Sequence, residues 1–406
     1  MMSDLRLGFD LDFSDLYEQS GLSRIDHAFI EQLAETDQEL ANRLLAARAA
    51  PDLLENACES ELLTEIAPHL EDFIAELFGI LLEMGTIACD ISTLAPLYTC
   101  KRLFVQRRVT RAFKPEQVAT LDGVALTAAL ATRLDGISNG GIPNATLDEL
   151  VFARNVTKWL QDEGANADAL ALAESYAAWA LYTTKGRERH GSGILFQVPH
   201  KIDHNNMVPI ETVDVGGVTM MRIPHHHQRP RHGFDLSDCG TDLAGALDQA
   251  NYCIWCHKQG KDSCSKGLRD RKTGAFQKSP FGVALSGCPL EQKVSEIHTA
   301  LAKGQPVGAL AIAIIDNPMI AGTGHRICND CMKACIYQKQ ERVDIPQAET
   351  RTLKTVLDLP WGFEIYGLLT RWNPLNLRRP VARPESGYKV LIVGLGPAGY
   401  TLSHYL

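Results

Sequence analysis

Seven of the chain's eleven cysteines fall between Cys253 and Cys335, and no other feature narrows the possible folds as far. They run as Cys253-x2-Cys256, Cys264, Cys288 followed by proline, then Cys328-x2-Cys331-x3-Cys335. Two cysteines two residues apart present both sulfurs to one centre. Thiolates are soft ligands, suited to iron–sulfur clusters or to zinc. Seven nearly fill two four-ligand centres and leave one place for another residue. The surrounding sequence, such as "CHKQGKDSCSKG", is polar and contains glycine, unlike a core that uses cysteine as a small hydrophobe. Cys58, Cys89 and Cys100, each isolated in helical sequence, fit that second role.

Compartment supports metal ligation over disulfides. The N-terminus "MMSDLRLGFDLDFSDLYEQ" is acidic and lacks the apolar core of a signal peptide. The longest clean apolar run, Val307 to Ile315, is too short to span a bilayer, so no membrane span is expected. The expected location is cytoplasmic, where thiols stay reduced. The net charge of −9 favours no nucleic acid partner. The 406 residues leave room for two to three domains. No H-E-x-x-H pattern occurs, and no acids are paired in a hydrolase context.

Periodicity predicts a mainly α protein. Residues 1–190 read as a helical domain of unassigned role, with apolar stripes such as Ile25, Phe29 and Leu33. Thr36 with Glu39 gives a capping-box pattern for the next helix. "SELLTEIAPHLEDFIAELFGILLEM" is apolar on more than one side and reads as an inner helix. Residues 191–232 read as a β-ribbon and linker: "GILFQVPHKI" and "VPIETVDVGGVTMMRIP" alternate, and Gly216-Gly217 suits a hairpin turn. Residues 233–370 carry short helices interrupted by the cysteines. Residues 371–387, with three prolines and no periodicity, read as a linker. Residues 388–406 begin with a short strand at Val390–Val393. The six basic residues between Cys100 and Lys114 read as a solvated helix face, with a docking surface as the minority reading. His225–His227 with His232 read as an exposed loop.

Three segments, "FDLSDCGTDLAGALDQANYCIWCH", "GCPLEQKVSEIHTAL" and "IIDNPMIAGTGHRICNDCMKAC", together resemble the helical iron–sulfur domain of the glutamate synthase small subunit and of dihydropyrimidine dehydrogenase. The resemblance covers about Gly233 to Leu406. It implies an α-helical ferredoxin-like domain with two [4Fe–4S] clusters whose ligands interleave. One cluster would use Cys253, Cys256, Cys264 and Cys335. The other would use Cys288, Cys328 and Cys331, with Glu349 in "VDIPQAET" as its non-cysteine ligand. Cys239 is the rival for that eighth place. The stretch "SKGLRDRKTGAFQKSPFGVALSG" departs from the family as an insertion, read as a surface loop. His257 and His325 read as residues beside the clusters or at the surface.

In that family an FAD-binding domain follows, and "KVLIVGLGPAGYTLSHYL" stands at its place. Gly394, Gly396 and Gly399 form G-x-G-x-x-G between a strand and a helix, the context in which backbone amides meet a pyrophosphate. Only the first βα unit of a Rossmann-type domain is present, so the FAD site is incomplete and the chain is expected to be the N-terminal part of a longer protein. The resulting expectation is the electron-transfer portion of an NAD(P)H-linked FAD and iron–sulfur oxidoreductase. It would pass electrons from the flavin through two [4Fe–4S] clusters to a redox partner enzyme or fused C-terminal domains. NAD(P)H would bind in the missing region, and this portion alone would not turn it over. The alternative is a non-enzymatic helical interaction module stabilised by zinc or iron–sulfur centres.

Overall fold

The computed structural model describes residues 6–135, 148–228, 230–324 and 328–406. His325, named above beside the cysteines, lies outside the described residues, as do 136–147 of the helical region. The chain is mainly α-helical, with one two-stranded antiparallel sheet among the described residues. No helix among them is long and apolar enough to cross a membrane.

The centre is the helix Pro306–Asp316, whose residues Pro306 to Ile314 are all buried. Its sequence "PVGALAIAIID" has no polar face, so it must be covered on every side. The covering helices come from both halves of the chain: Asn56–Leu77 from the first, Val294–Ala302 and Ile345–Leu357 from the second. The buried core is therefore continuous from Leu11 to Leu377. Contact with Asn56–Leu77 is close enough that a Cβ on Gly308 would come within 2.8 Å of the Ala67 Cβ. One turn on, the buried Glu71 carboxylate accepts a 2.8 Å hydrogen bond from the Gly308 amide, at an end of the helix where free N–H groups favour an acceptor.

Several local expectations are corrected. The helix Gln38–Ala49 is capped by Asp37, which accepts from the Leu40 amide at 2.9 Å; Thr36 belongs to the preceding turn and donates to the Gln32 carbonyl. The expected inner helix is divided at Gly79, which has φ +65°, into Asn56–Leu77 and Leu81–Cys100. "GILFQVPHKI" forms no strand, because its neighbours Leu195 and Phe196 are both buried and alternation is lost. The ribbon is Glu211–Val215 paired with Val218–Arg222 about the Gly216-Gly217 turn. Residues 371–377 pack rather than link. Trp372 is fully buried and donates its indole N–H to Asp26 at 2.9 Å, beside the Arg48–Asp26 ion pair, and the Asn373 amide donates to the Ala311 carbonyl. Residues 389–395 form no strand, since no partner strand lies alongside among the described residues. The basic run from Cys100 to Lys114 is largely a π-helical segment, Lys101–Val109. It buries Phe104, Val105 and Val109, pairs Lys101 with Asp248, and pairs Arg108 with Glu163 and Glu174.

Burial raises the Glu71 carboxyl to about 8, with the Gly308 and Val307 amides opposing. The folded state thus holds a proton that the unfolded chain releases above its ordinary carboxyl range. Stability from this group falls as pH rises from about 4.5 towards 8 and is flat above that. Glu71→Gln keeps the acceptor and removes the titration. Its urea midpoint is expected to exceed the parent's above pH 8, by an amount worth a few kcal/mol at most, with the 4.5-to-8 slope reduced. An unchanged slope would show that the proton is not held there.

Candidate metal centre

The loops that carry the cysteines start and stop at helix ends. Cys253 ends the helix Leu243–Tyr252, whose start is capped by Asp242 through the Gly245 amide at 2.8 Å. Trp255 then takes a left-handed conformation, φ +49°, which turns its amide back onto the Cys253 Sγ at 3.4 Å. Cys256 opens a single turn, Cys264 sits in the short helix Ser263–Lys266, and Cys335 ends the helix Asp330–Ala334. Of the six non-glycine residues with positive φ among those described, Trp255, Asp262 and Glu291 flank cysteines. Strained backbone gathered at one place is a mark of imposed geometry.

Two thiol groups result. Cys253, Cys256, Cys264 and Cys335 surround one small cavity, closed by Val294, Ile336, Tyr337, Val343 and Ile345. Cys288 lies close enough to Cys328 and Glu349, and Cys331 close enough to Glu349, Cys288 and Cys328, for those charges to add to burial in raising the Cys288 and Cys331 thiols. Cys288 and Cys331 are buried and Cys328 is exposed. Glu349 is buried in the helix Ile345–Leu357, with its carboxylate against Gly324. The seven cysteines from Cys253 to Cys335 and Glu349 thus fall into these two groups, and Cys58, Cys89 and Cys100 lie outside them. Cys239 is exposed and hydrogen-bonded to its own loop at Leu236. His257 is held between Asp262 and Glu296 at 3.6 and 3.4 Å, and the Asp262 contact raises its pKa first.

The sulfurs are set among backbone donors. Cys253 receives the Trp255 amide, Cys256 that of Ser263, Cys288 those of Leu290 and Gln292, Cys331 that of Met332, and Cys335 those of Tyr337 and Val343. Burial works against ionisation: it lifts the Cys253 thiol to about 12 and raises those of Cys288, Cys331 and Cys335. Between Cys256 and Cys264 a mutual hydrogen bond lowers the first and raises the second. Burial also lifts the Glu349 carboxyl to about 7. Amide donors and a dry surround suit sulfur that carries negative charge only when a cation replaces the proton.

The insertion between Cys264 and Cys288 was legible as extra sequence, but not what fastens it. Its two ends meet at Gly267 and Gly287, φ +87° and +82°. A Cβ on Gly287 would come within 2.5 Å of the Gly267 nitrogen and 2.6 Å of the Ser265 carbonyl. Beside this clasp the Cys288 amide donates to the Cys264 carbonyl at 2.9 Å, so one backbone contact joins the two thiol groups.

Among the described residues no three or more His, Cys, Asp or Glu side chains form a group that could hold a single metal ion. This overturns the expectation of a metal-binding group drawn from the cysteine spacing, zinc included. One zinc would draw its sulfurs to about 3.8 Å from each other, given Zn–S bonds near 2.3 Å.

Residues 7–79 match the family described as RP005 N-terminal alpha-helical domain. The chain is 31% identical over 307 residues to the uncharacterized protein RP005 of Rickettsia prowazekii (strain Madrid E), which covers 72% of this chain and 97% of that one. It is 60% identical over 88 residues to the uncharacterized protein RP006 of the same organism, 22% of this chain and 12% of that relative. No solved structure matches. These matches are to a helical domain and to uncharacterized proteins and include no oxidoreductase or iron–sulfur family, so the resemblance to the glutamate synthase small subunit and dihydropyrimidine dehydrogenase is overturned, and the oxidoreductase class loses the support it took from it.

The glycine clasp gives a direct test. Gly287→Ala forces backbone against backbone in a left-handed conformation and should cost about 2–3 kcal/mol or more in thermal or urea unfolding. Maleimide labelling read by peptide mass spectrometry should show Cys264 and Cys288 gaining reactivity before global unfolding. Equal labelling of parent and variant would show that the clasp does not hold the two groups.

Proposed function

We propose that this chain, which belongs to the family of the rickettsial protein RP005, is an electron-transfer unit whose two thiol groups hold [4Fe–4S] clusters. A four-iron cluster supplies one-electron redox chemistry. The observation that carries the reading is the arrangement of the sulfurs: four thiols around one small apolar cavity, and Cys288, Cys328 and Cys331 gathered beside Glu349, with backbone amides close to sulfurs of both sets. Cys253, Cys256, Cys264 and Cys335 would hold one cluster. Cys288, Cys328, Cys331 and Glu349 would hold the other. Amide donors to sulfur and exclusion of water are what a protein uses to tune such a centre. The carboxylate would differ from its thiolate companions in donating through oxygen. The burial that keeps Glu349 partly protonated near neutrality would be offset by cation binding.

The glycine loop belongs to the same proposal. Gly396 precedes the helix Pro397–Tyr405, and Gly399 packs against the Gly394 carbonyl, a close loop–helix approach that suits a pyrophosphate. FAD is the ligand assigned to Gly394, Gly396 and Gly399, with NAD(P)H as the electron source and a partner enzyme or further domains as the destination. Completing that site requires parallel strands that the described residues do not provide. A cytoplasmic setting fits reduced thiols. The chain spans about an eighth of RP006, so any activity of a longer protein is part of the proposal.

Anaerobically purified protein should contain about eight irons and eight sulfides, with a broad visible absorption that bleaches on reduction. Zinc in place of iron would overturn the electron-transfer reading, and about four irons would leave one group without a cluster. Glu349→Ala should retain the cluster held by Cys253 and its companions. The other should be lost, or its potential moved by tens of millivolts in a redox titration followed by electron paramagnetic resonance. Two clusters with unchanged potentials would remove Glu349 from the ligand set.

A further inference from the structure

Beside the first thiol group, on the far side of Tyr337, lies a cleft of about 650 Å³. That volume is in the range of small-molecule sites. Its floor is the ion pair of Lys101 and Asp248, at 2.7 and 2.8 Å, joining the π-helical segment to the helix that ends at Cys253. One wall is apolar, with Leu181, Phe196, Val198 and Ile202. Tyr252 lines the cleft and stacks on Tyr337, which lines the cysteine cavity; their rings are 4.6 Å apart and 6° from parallel.

Two guanidinium groups face this space. Arg342 reaches only Gln338, at 3.4 Å, and its Nε is buried without a partner. The Arg187 side chain, on the helix Thr184–His190, makes no hydrogen bond or ion pair among the described residues. Three acids line the cleft: Asp248 is held by Lys101, Glu341 accepts the His200 amide at 3.1 Å, and Asp344 starts the helix Ile345–Leu357, its amide donating to Gln249 at 2.8 Å. Arginine forks left open above an apolar wall match a carboxylate or phosphate borne on an apolar body.

We infer that this cleft binds a small organic oxyanion, with its charged end between Arg187 and Arg342 and its apolar body against Phe196 and Val198. The site is independent of the cluster reading, although Tyr252 and Tyr337 would place a ligand one aromatic pair away from the Cys253 centre.

Calorimetric titration of the purified full chain tests this with benzoate, phenyl phosphate and neutral benzamide, on samples whose iron content is measured separately. At least one anion should bind saturably at one site per chain, about tenfold or more tighter than benzamide. Arg187→Gln with Arg342→Gln should weaken it about tenfold or more. Arg187→Gln alone, at an exposed position, should weaken it measurably even where the double variant folds poorly. Benzamide binding as tightly as the anions, no anion binding at about 10 mM, or undiminished binding by Arg187→Gln would each overturn the inference.

Discussion

A helix with no polar face cannot lie at a surface, and Pro306–Asp316 therefore dictates the rest of the arrangement. It recruits Asn56–Leu77 from one end of the chain and Val294–Ala302 and Ile345–Leu357 from the other. Its amide end is closed by a carboxyl group from the opposite half, Glu71. The cysteine loops hang from helices that this arrangement fixes: Val294–Ala302 supplies Val294 to the first thiol group, and Ile345–Leu357 supplies Glu349 to the second. The position of the thiols is thus set by the same burial that holds the two halves together.

Within that frame the two thiol groups are not independent. The Gly267–Gly287 contact and the Cys288-to-Cys264 hydrogen bond tie them through backbone alone, where little can give without breaking the clasp. The left-handed residues Trp255, Asp262 and Glu291 add further constraint at the same loops. Such rigidity is what an electron carrier needs, because a centre that changes charge without moving has little reorganisation to undergo. The Tyr252–Tyr337 stack extends the ordered region outward to the neighbouring cleft.

The sequence made the helical class and the cysteine grouping legible for different reasons. Helices announce themselves by local periodicity, and the stripe of Ile25, Phe29 and Leu33 is buried as its spacing implies. Cysteines two or three residues apart converge almost wherever the chain turns. What stayed hidden depends on partners distant in sequence. Trp372 stands among prolines and arginines without periodicity, and only distant partners explain its burial: Phe29 and Phe73 pack on its ring and Asp26 accepts from its indole. Gly267 and Gly287 read as loop glycines until their ends meet. Val390–Val393 has the composition of a strand, yet composition supplies no neighbour to pair with. Resemblance misled for another reason: a cysteine order shared with an enzyme family can reflect a shared ligand requirement, whereas kinship rests on the whole chain.

The Trp372–Asp26 hydrogen bond joins residues 346 positions apart, and every cysteine of the two thiol groups lies within the span it closes. During synthesis the packing of the first helices is not complete until residue 372 has been made. Contacts at such separation form slowly, since closing the loop costs entropy before any contact compensates. The thiols are therefore made, and remain open to solvent and to oxidants, well before the frame that shields them can close. For a nascent chain the interval before residues 371–377 join the frame is a kinetic one.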